Sequence, residues 1–504
     1  MTTKEAVGKV ISTFDSPSTV KIVFVVCGDV HKGQYVEVFD QGRIYIALVN
    51  ELLRSNKYFE RPETVMDYER VGELNMHFPT DDWEYMIAEA RLFGVYNETG
   101  NLVQRTVVPP SPGAKVFIAD NERLKKFIGI SDSGLYIGTL PNHKIDVKLD
   151  LSRLFQKHLA ILAMSGAGKS YLNGVLIEEL LSRKKEDGRL GVVVIDIHGE
   201  YTGFKQAFPK QVEIVKAEDI RIPLKALNAL TIGDWFEGMT EPQKRELSVL
   251  LAELKKQEQE KNMRIGLAEL EQLLISKNDG KQKELKNLFG WITAIKKLKL
   301  ISYTEKPKLS DTIQPGKLTI IDMKGIDNHH KKQIIAYWLC QRLFNLRKKG
   351  KVCPFVLMIE EAHNFAKEKA TKQQAIAKGI IETIAREGRK FGASIVLITQ
   401  RPVRLSTTAL SQCNTNIILR ITNPFDQKHI AESSEGIDNY IMNSLSTLHV
   451  GEAIIVGEAT NIPIMVSIRK RNAIIKKNEI NLKELALQFE KEKEKVKSDA
   501  EAFI

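Results

Sequence analysis

The stretch His158-Leu-Ala-Ile-Leu-Ala-Met-Ser-Gly-Ala-Gly-Lys-Ser170, HLAILAMSGAGKS, decides the fold. An apolar run ends in a glycine-rich turn, and the helix-forming YLNGVLIEELLSR follows. Strand, loop and helix in that order are the context a phosphate-binding loop requires. Gly166 and Gly168 let the backbone N–H groups from Ser165 through Ala167 to Ser170 curl around phosphate oxygens, and the helix N-terminus adds partial positive charge. Lys169 is placed for the β/γ-phosphates and the Ser170 hydroxyl for Mg2+. The pattern G-x-x-x-x-G-K-[ST] has Ala163 at its first position. An added methyl at the strand end is tolerable wherever that residue keeps a negative φ.

Outward from the loop, apolar strands alternate with helical stretches: GVVVIDI, LTIIDM, PFVLMIE, ASIVLIT, NIILRI and EAIIVG. Continuous apolar runs of this kind predict a parallel sheet covered on both faces, an α/β P-loop domain over 149–470. Leu247, Leu250, Leu251 and Leu254 fall at i, i+3, i+4 and i+7, so about 240–300 reads as a helical insertion. Residues 1–148 differ. KVISTF, TVKIVFVV, QYVEVF and RIYIALV are β-branched or aromatic runs broken by turn residues, which predicts a small barrel or sandwich interrupted by a helix at TDDWEYMIAEARLFG. A basic, helical tail over 471–504 closes the chain, with Asn481 as its cap and Leu482, Leu485 and Phe489 as its apolar stripe.

Bulk properties agree with a large multidomain protein. The chain has 504 residues, 43% hydrophobic and 27% charged, which excludes wholesale disorder. No apolar run reaches the ~18 residues of a membrane helix. The first residues lack the layout of a secretion signal, and a cytoplasmic location is expected. The 4 cysteines are scattered, with no metal or disulfide spacing. A net charge of +11 favours a polyanionic partner, nucleic acid first.

PFVLMIEEAHNF brings two carboxylates to the end of a strand, where ligands of parallel sheets bind. Glu360 can hold hydrated Mg2+ and Glu361 can polarise the attacking water; capping of the next helix is the plainer alternative. Gln400, ending ASIVLITQ, is placed to sense the γ-phosphate or to orient water. Arg386 and Arg389 in TIAREGRKFG can stabilise transition-state charge or form surface ion pairs. Asp196, His198 and Glu200 sit too close in sequence along a strand end to ligate one metal together. Asp196 reads as a polar group beside the nucleotide.

The set HLAILAMSGAGKS, VIDIHGEY, MIEEAHNF, IAREGRKFG, ITQRP and VGEAIIVG, in that order, resembles the HerA family of hexameric DNA translocases and helicases related to the FtsK pumps. The resemblance implies an N-terminal β-barrel, a RecA-like ATPase domain and a homo-oligomeric ring around double-stranded DNA. It also implies ATP and Mg2+ as cofactors, with Lys169 and Ser170 binding them. Glu361 becomes the catalytic carboxylate and Arg389 a finger offered to the neighbouring subunit. Lys157 stands where the family often has an arginine reaching a phosphate; lysine keeps the charge and loses the bidentate geometry. Archaeal members resect DNA ends with a NurA-type nuclease, which the barrel would dock. The alternative is an ATP-stabilised ring scaffold that regulates an effector in phage defence.

Overall fold

The structure is a computed structural model. It describes residues 5–56, 59–60, 62–70, 83–96, 102–103, 105–236, 238–277, 283–371, 374–434, 436–472, 483 and 486–491. Asn481, Leu482 and Leu485 of the expected tail helix lie outside them. The chain divides into two compact units, Met1–Asp150 with Glu452–Arg469, and Leu151–Gly451 with Lys470–Ile504.

In the first unit, β1 (Gly8–Ile11), β2 (Lys21–Val26), β3 (Tyr35–Asp40), β4 (Arg43–Asn56), β5 (Glu84–Tyr96), β6 (Leu102–Val103) and β7 (Lys115–Ile118) run in the order β2-β1-β7-β3-β4-β5-β6. A further antiparallel pairing of β2 with β5 closes the barrel. Ile22, Phe24, Val36, Val38, Tyr45 and Ala47 fill its interior. The helix expected at TDDWEYMIAEARLFG is strand β5 from Glu84 onward. Ala88, Ala90 and Leu92 are buried in alternation, and pairing with β2 and β4 on both sides outweighs the helix propensity of Ala and Glu. The strands β8 (Leu135–Thr139), β9 (Asp146–Leu149), β19 (Glu452–Gly457) and β20 (Ile464–Ile468) pair antiparallel. EAIIVG, expected among parallel strands, thus has an antiparallel neighbour in β20. The short link from Gly457 to Ile464 cannot hold the crossover of a dozen or so residues that a parallel neighbour needs.

In the second unit, the parallel sheet has the order β12-β15-β11-β16-β17-β10-β18. These are β10 (Leu159–Leu162), β11 (Gly191–Asp196), β12 (Val212–Lys216), β15 (Leu318–Asp322), β16 (Phe355–Ile359), β17 (Ala393–Thr399) and β18 (Thr415–Ile418). Every residue of β10, β11, β16, β17 and β18 is buried, which explains their largely apolar sequences. Between β13 (Ile222–Pro223) and β14 (Ile301–Ser302) lies the helical insertion, with helices Glu241–Lys261, Leu267–Lys277 and Lys283–Leu298 packed on one another. Thr240 and Gln243 form a capping box at its start, and Leu247, Leu250, Leu251 and Leu254 are all buried.

Candidate active site

Parallel topology brings the C-terminal ends of β10, β11, β16 and β17 to one edge of the sheet, and the predicted site residues follow those ends. After β10 the chain enters its turn fixed on both sides. The Ala163 N–H donates to the Thr399 carbonyl (3.2 Å) and the Met164 N–H to that of Arg420 (3.0 Å). Ala163 is fully buried and its φ is not positive, so the methyl is accommodated. Gly166 and Gly168 have φ of 75° and 99°, the left-handed conformation that makes glycine necessary there. Helix Lys169–Ser182 begins at Gly168 with no side-chain cap. Its first-turn N–H groups are therefore left for an anion.

Glu360 and Glu361 follow β16 directly and are both buried. Glu361 adopts φ 45° and ψ 46°, a left-handed conformation that costs a non-glycine residue about 1–2 kcal/mol. Its Oε1 pairs with Lys169 Nζ, and its Oε2 lies 3.3 Å from His363 Nδ1. His363 Nδ1 is also 2.9 Å from Thr399 Oγ1, at the end of β17. Burial lowers the His363 imidazole to about 4, so it is neutral near pH 7 and acts by position.

The Glu360 carboxyl is pushed well above the usual range, first by burial and then by the neighbouring Asp196 and Glu200 carboxylates. Its Oε1 accepts from the Tyr201 hydroxyl (2.9 Å), whereas Oε2 is buried without a hydrogen-bond partner among the described residues. A buried carboxylate oxygen left over in this way fits a bound, hydrated divalent cation, which would offset the cost of its charge.

Asp196, at the end of β11, is engaged by the backbone of the following turn. Its Oδ1 accepts the N–H groups of His198 (3.2 Å), Gly199 (2.8 Å) and Glu200 (3.1 Å), and Oδ2 that of Tyr201 (3.0 Å). It organises the turn after β11. Gln400 is half-buried just past Thr399. Lys157 precedes β10, and its carbonyl accepts the Asn414 N–H (3.0 Å). Arg386, in the last turn of helix Lys378–Glu387, and Arg389, in the following turn Gly388–Phe391, are both exposed. Among the described residues neither has a carboxylate partner. The structure thus brings Lys169, Glu360 and Glu361 together and leaves both arginines facing outward.

Sequence reasoning missed Tyr201 and Asn173. Tyr201 was quoted only as the end of a motif, although a buried tyrosine hydroxyl needs a partner and could have prompted a search for one.

A family model described as "Helicase HerA, central domain" matches residues 135–343. The DNA double-strand break repair helicase HerA of Saccharolobus solfataricus is 30% identical over 392 residues, 72% of this chain and 73% of that protein. The chain belongs to the HerA family. The HerA helicase of Pyrococcus furiosus is 28% identical over 486 residues, 84% of each chain. VirB4 of Thermoanaerobacter pseudethanolicus superposes with a TM-score of 0.52 at 16% identity, covering 68% of this chain and 98% of that one, a likeness of fold. As a HerA-family P-loop protein the chain is an ATPase.

Proposed function

We propose that this chain is the motor subunit of a ring, most simply a hexamer, that hydrolyses ATP to move along and open double-stranded DNA in the processing of double-strand breaks. The observation that carries the reading is the buried Lys169–Glu361 pair, with Glu361 held left-handed at the end of β16. ATP binding draws Lys169 from the carboxylate to the phosphates. Glu361 is then free to take a proton from the attacking water. Ser170 and Glu360 would hold Mg2+, which supplies positive charge at the phosphates. Gln400 lies beside the same strand ends, where an amide can orient water. Arg389, exposed and without a carboxylate partner among the described residues, serves the neighbouring subunit's site.

Two basic segments support DNA as the track. Lys367 and Lys369 follow the acidic strand, and Arg401 and Arg404 follow Gln400; all four are exposed, with no carboxylate partner among the described residues. The segments are tied together by a bridge between Lys367 and Leu405 and by the Glu368 N–H bonding the Arg404 carbonyl (2.8 Å). Phosphates bound there would act on the loops that leave both catalytic strands. The basic run RKKGK, residues 347–351, is partly structural, because Arg347 donates to the Phe391 (2.6 Å) and Val352 (3.0 Å) carbonyls. The N-terminal barrel is the surface assigned to a NurA-type nuclease, since the chain carries no nuclease motif of its own.

ATP turnover measured with and without duplex DNA tests this reading. A motor is stimulated by DNA of any sequence, and its binding weakens steeply with salt as phosphate contacts dictate. Slow turnover indifferent to DNA would instead make the ring a scaffold for an effector enzyme.

A further inference from the structure

Tyr201 is wholly buried, and its hydroxyl lies between two polar groups from different elements. It accepts from Asn173 Nδ2 (3.0 Å) and donates to Glu360 Oε1 (2.9 Å). Asn173 is itself fully buried, on the helix that begins at Lys169. A tyrosine has one proton to give. With the Asn173 amide donating to the oxygen, that proton is directed at Glu360. The Tyr201 backbone is fixed in turn, its N–H bonded to Asp196 Oδ2 (3.0 Å), and its ring stacks on Phe204 at 6.4 Å between centroids.

We propose that Tyr201 is a positioning residue for the divalent cation: by engaging Glu360 Oε1, and being oriented by Asn173, it presents Glu360 Oε2 to the metal. This rests on the reading of Glu360 as the carboxylate that holds hydrated Mg2+. The turn His198–Tyr201 then has a function in addition to its backbone capping. It joins β11, β16 and the phosphate-loop helix through one buried hydroxyl, so Glu360 cannot rotate without breaking a bond that spans all three. Partners one step removed from a metal ligand commonly carry about 10–100-fold in metal affinity.

The test is binding of a fluorescent ATP analogue to the full chain, titrated with Mg2+ and repeated in EDTA. Tyr201→Phe keeps the ring and its stacking and removes only the hydroxyl. The Mg2+ concentration for half-maximal binding should rise about tenfold or more, while affinity in EDTA stays that of the wild type. Asn173→Leu, which removes the orienting donor but leaves the hydroxyl, should shift the Mg2+ midpoint the same way by a smaller factor. An unchanged midpoint in Tyr201→Phe overturns the proposal. Equal losses with and without metal also overturn it, because they make Tyr201 a packing residue. Wild-type binding that ignores Mg2+ overturns the reading of Glu360 as well, and so separates the two failures.

Discussion

Replacing Glu361 by Gln changes one atom of a buried side chain and removes its ability to take a proton. The structure sets the expected size of the effect. Glu361 is the carboxylate paired with the phosphate-loop lysine, and its side chain is only 5% exposed. A positioned general base contributes about 10²–10⁴ in rate. At about 1.4 kcal/mol per decade the barrier should rise by about 3–5 kcal/mol. Binding should move differently. In the wild type, Glu361 competes with phosphate for Lys169, so the neutral amide should leave ATP affinity the same or tighter. The fold should hold, since Gln preserves the volume and a carbonyl oxygen for Lys169. Its cost lies below the about 3–5 kcal/mol of stranding a buried charge outright. Single-turnover phosphate release and equilibrium binding of a fluorescent ATP analogue measure the two quantities separately. Wild-type turnover in Glu361→Gln refutes the assignment and moves the base to Glu360.

Lys169→Ala should abolish hydrolysis and lower the melting temperature without unfolding the protein, because no core volume is lost but the buried Glu361 loses its cation, a cost of up to about 3–5 kcal/mol; an unchanged melting temperature would count against the ion pair. Rings of Arg389→Ala alone or Lys169→Ala alone should be nearly inactive, since an arginine finger contributes about 10³–10⁵ in rate. ATPase activity should return when the two are mixed, and mixtures no better than their parents despite proven subunit exchange would place Arg389 outside a neighbour's site. Burial lowers His158 to about 4 from an ordinary value of 6.5, so the folded state binds fewer protons than the unfolded one. Its contribution is present above pH 6.5 and is lost as pH falls towards 4, about 3 kcal/mol in all, read by denaturant titration across that window. His158→Asn, which tolerates the observed φ of 65°, should flatten that dependence.

Much of the site was legible because its signals are local. Strands buried on both faces read as apolar runs, and the phosphate loop and the Glu360–Glu361 pair sit where such runs stop. The residues that position them were not legible. Nothing in MIEEAHNF announces that Glu361 is left-handed or that its carboxylate meets Lys169, a residue far away in the sequence. Tyr201 looks like core in the sequence and becomes polar machinery only when β11 and β16 lie side by side. β5 was misread for a related reason: EYMIAEARLFG has the composition of a helix, and only its two flanking strands, distant in sequence, make it a strand. The backbone role of Asp196 was not legible either, because its bonds to four N–H groups of the following turn are a property of the folded loop.

The central claim, that hydrolysis at this site drives movement along DNA, is tested most directly by displacement of a third strand from a triplex placed at a distance along a duplex. The wild-type ring should release the strand in the presence of ATP, with a delay that grows with the length of duplex to be crossed, and Glu361→Gln should release none while still binding both ATP and DNA. Release without ATP, or equal release by Glu361→Gln, would contradict the account.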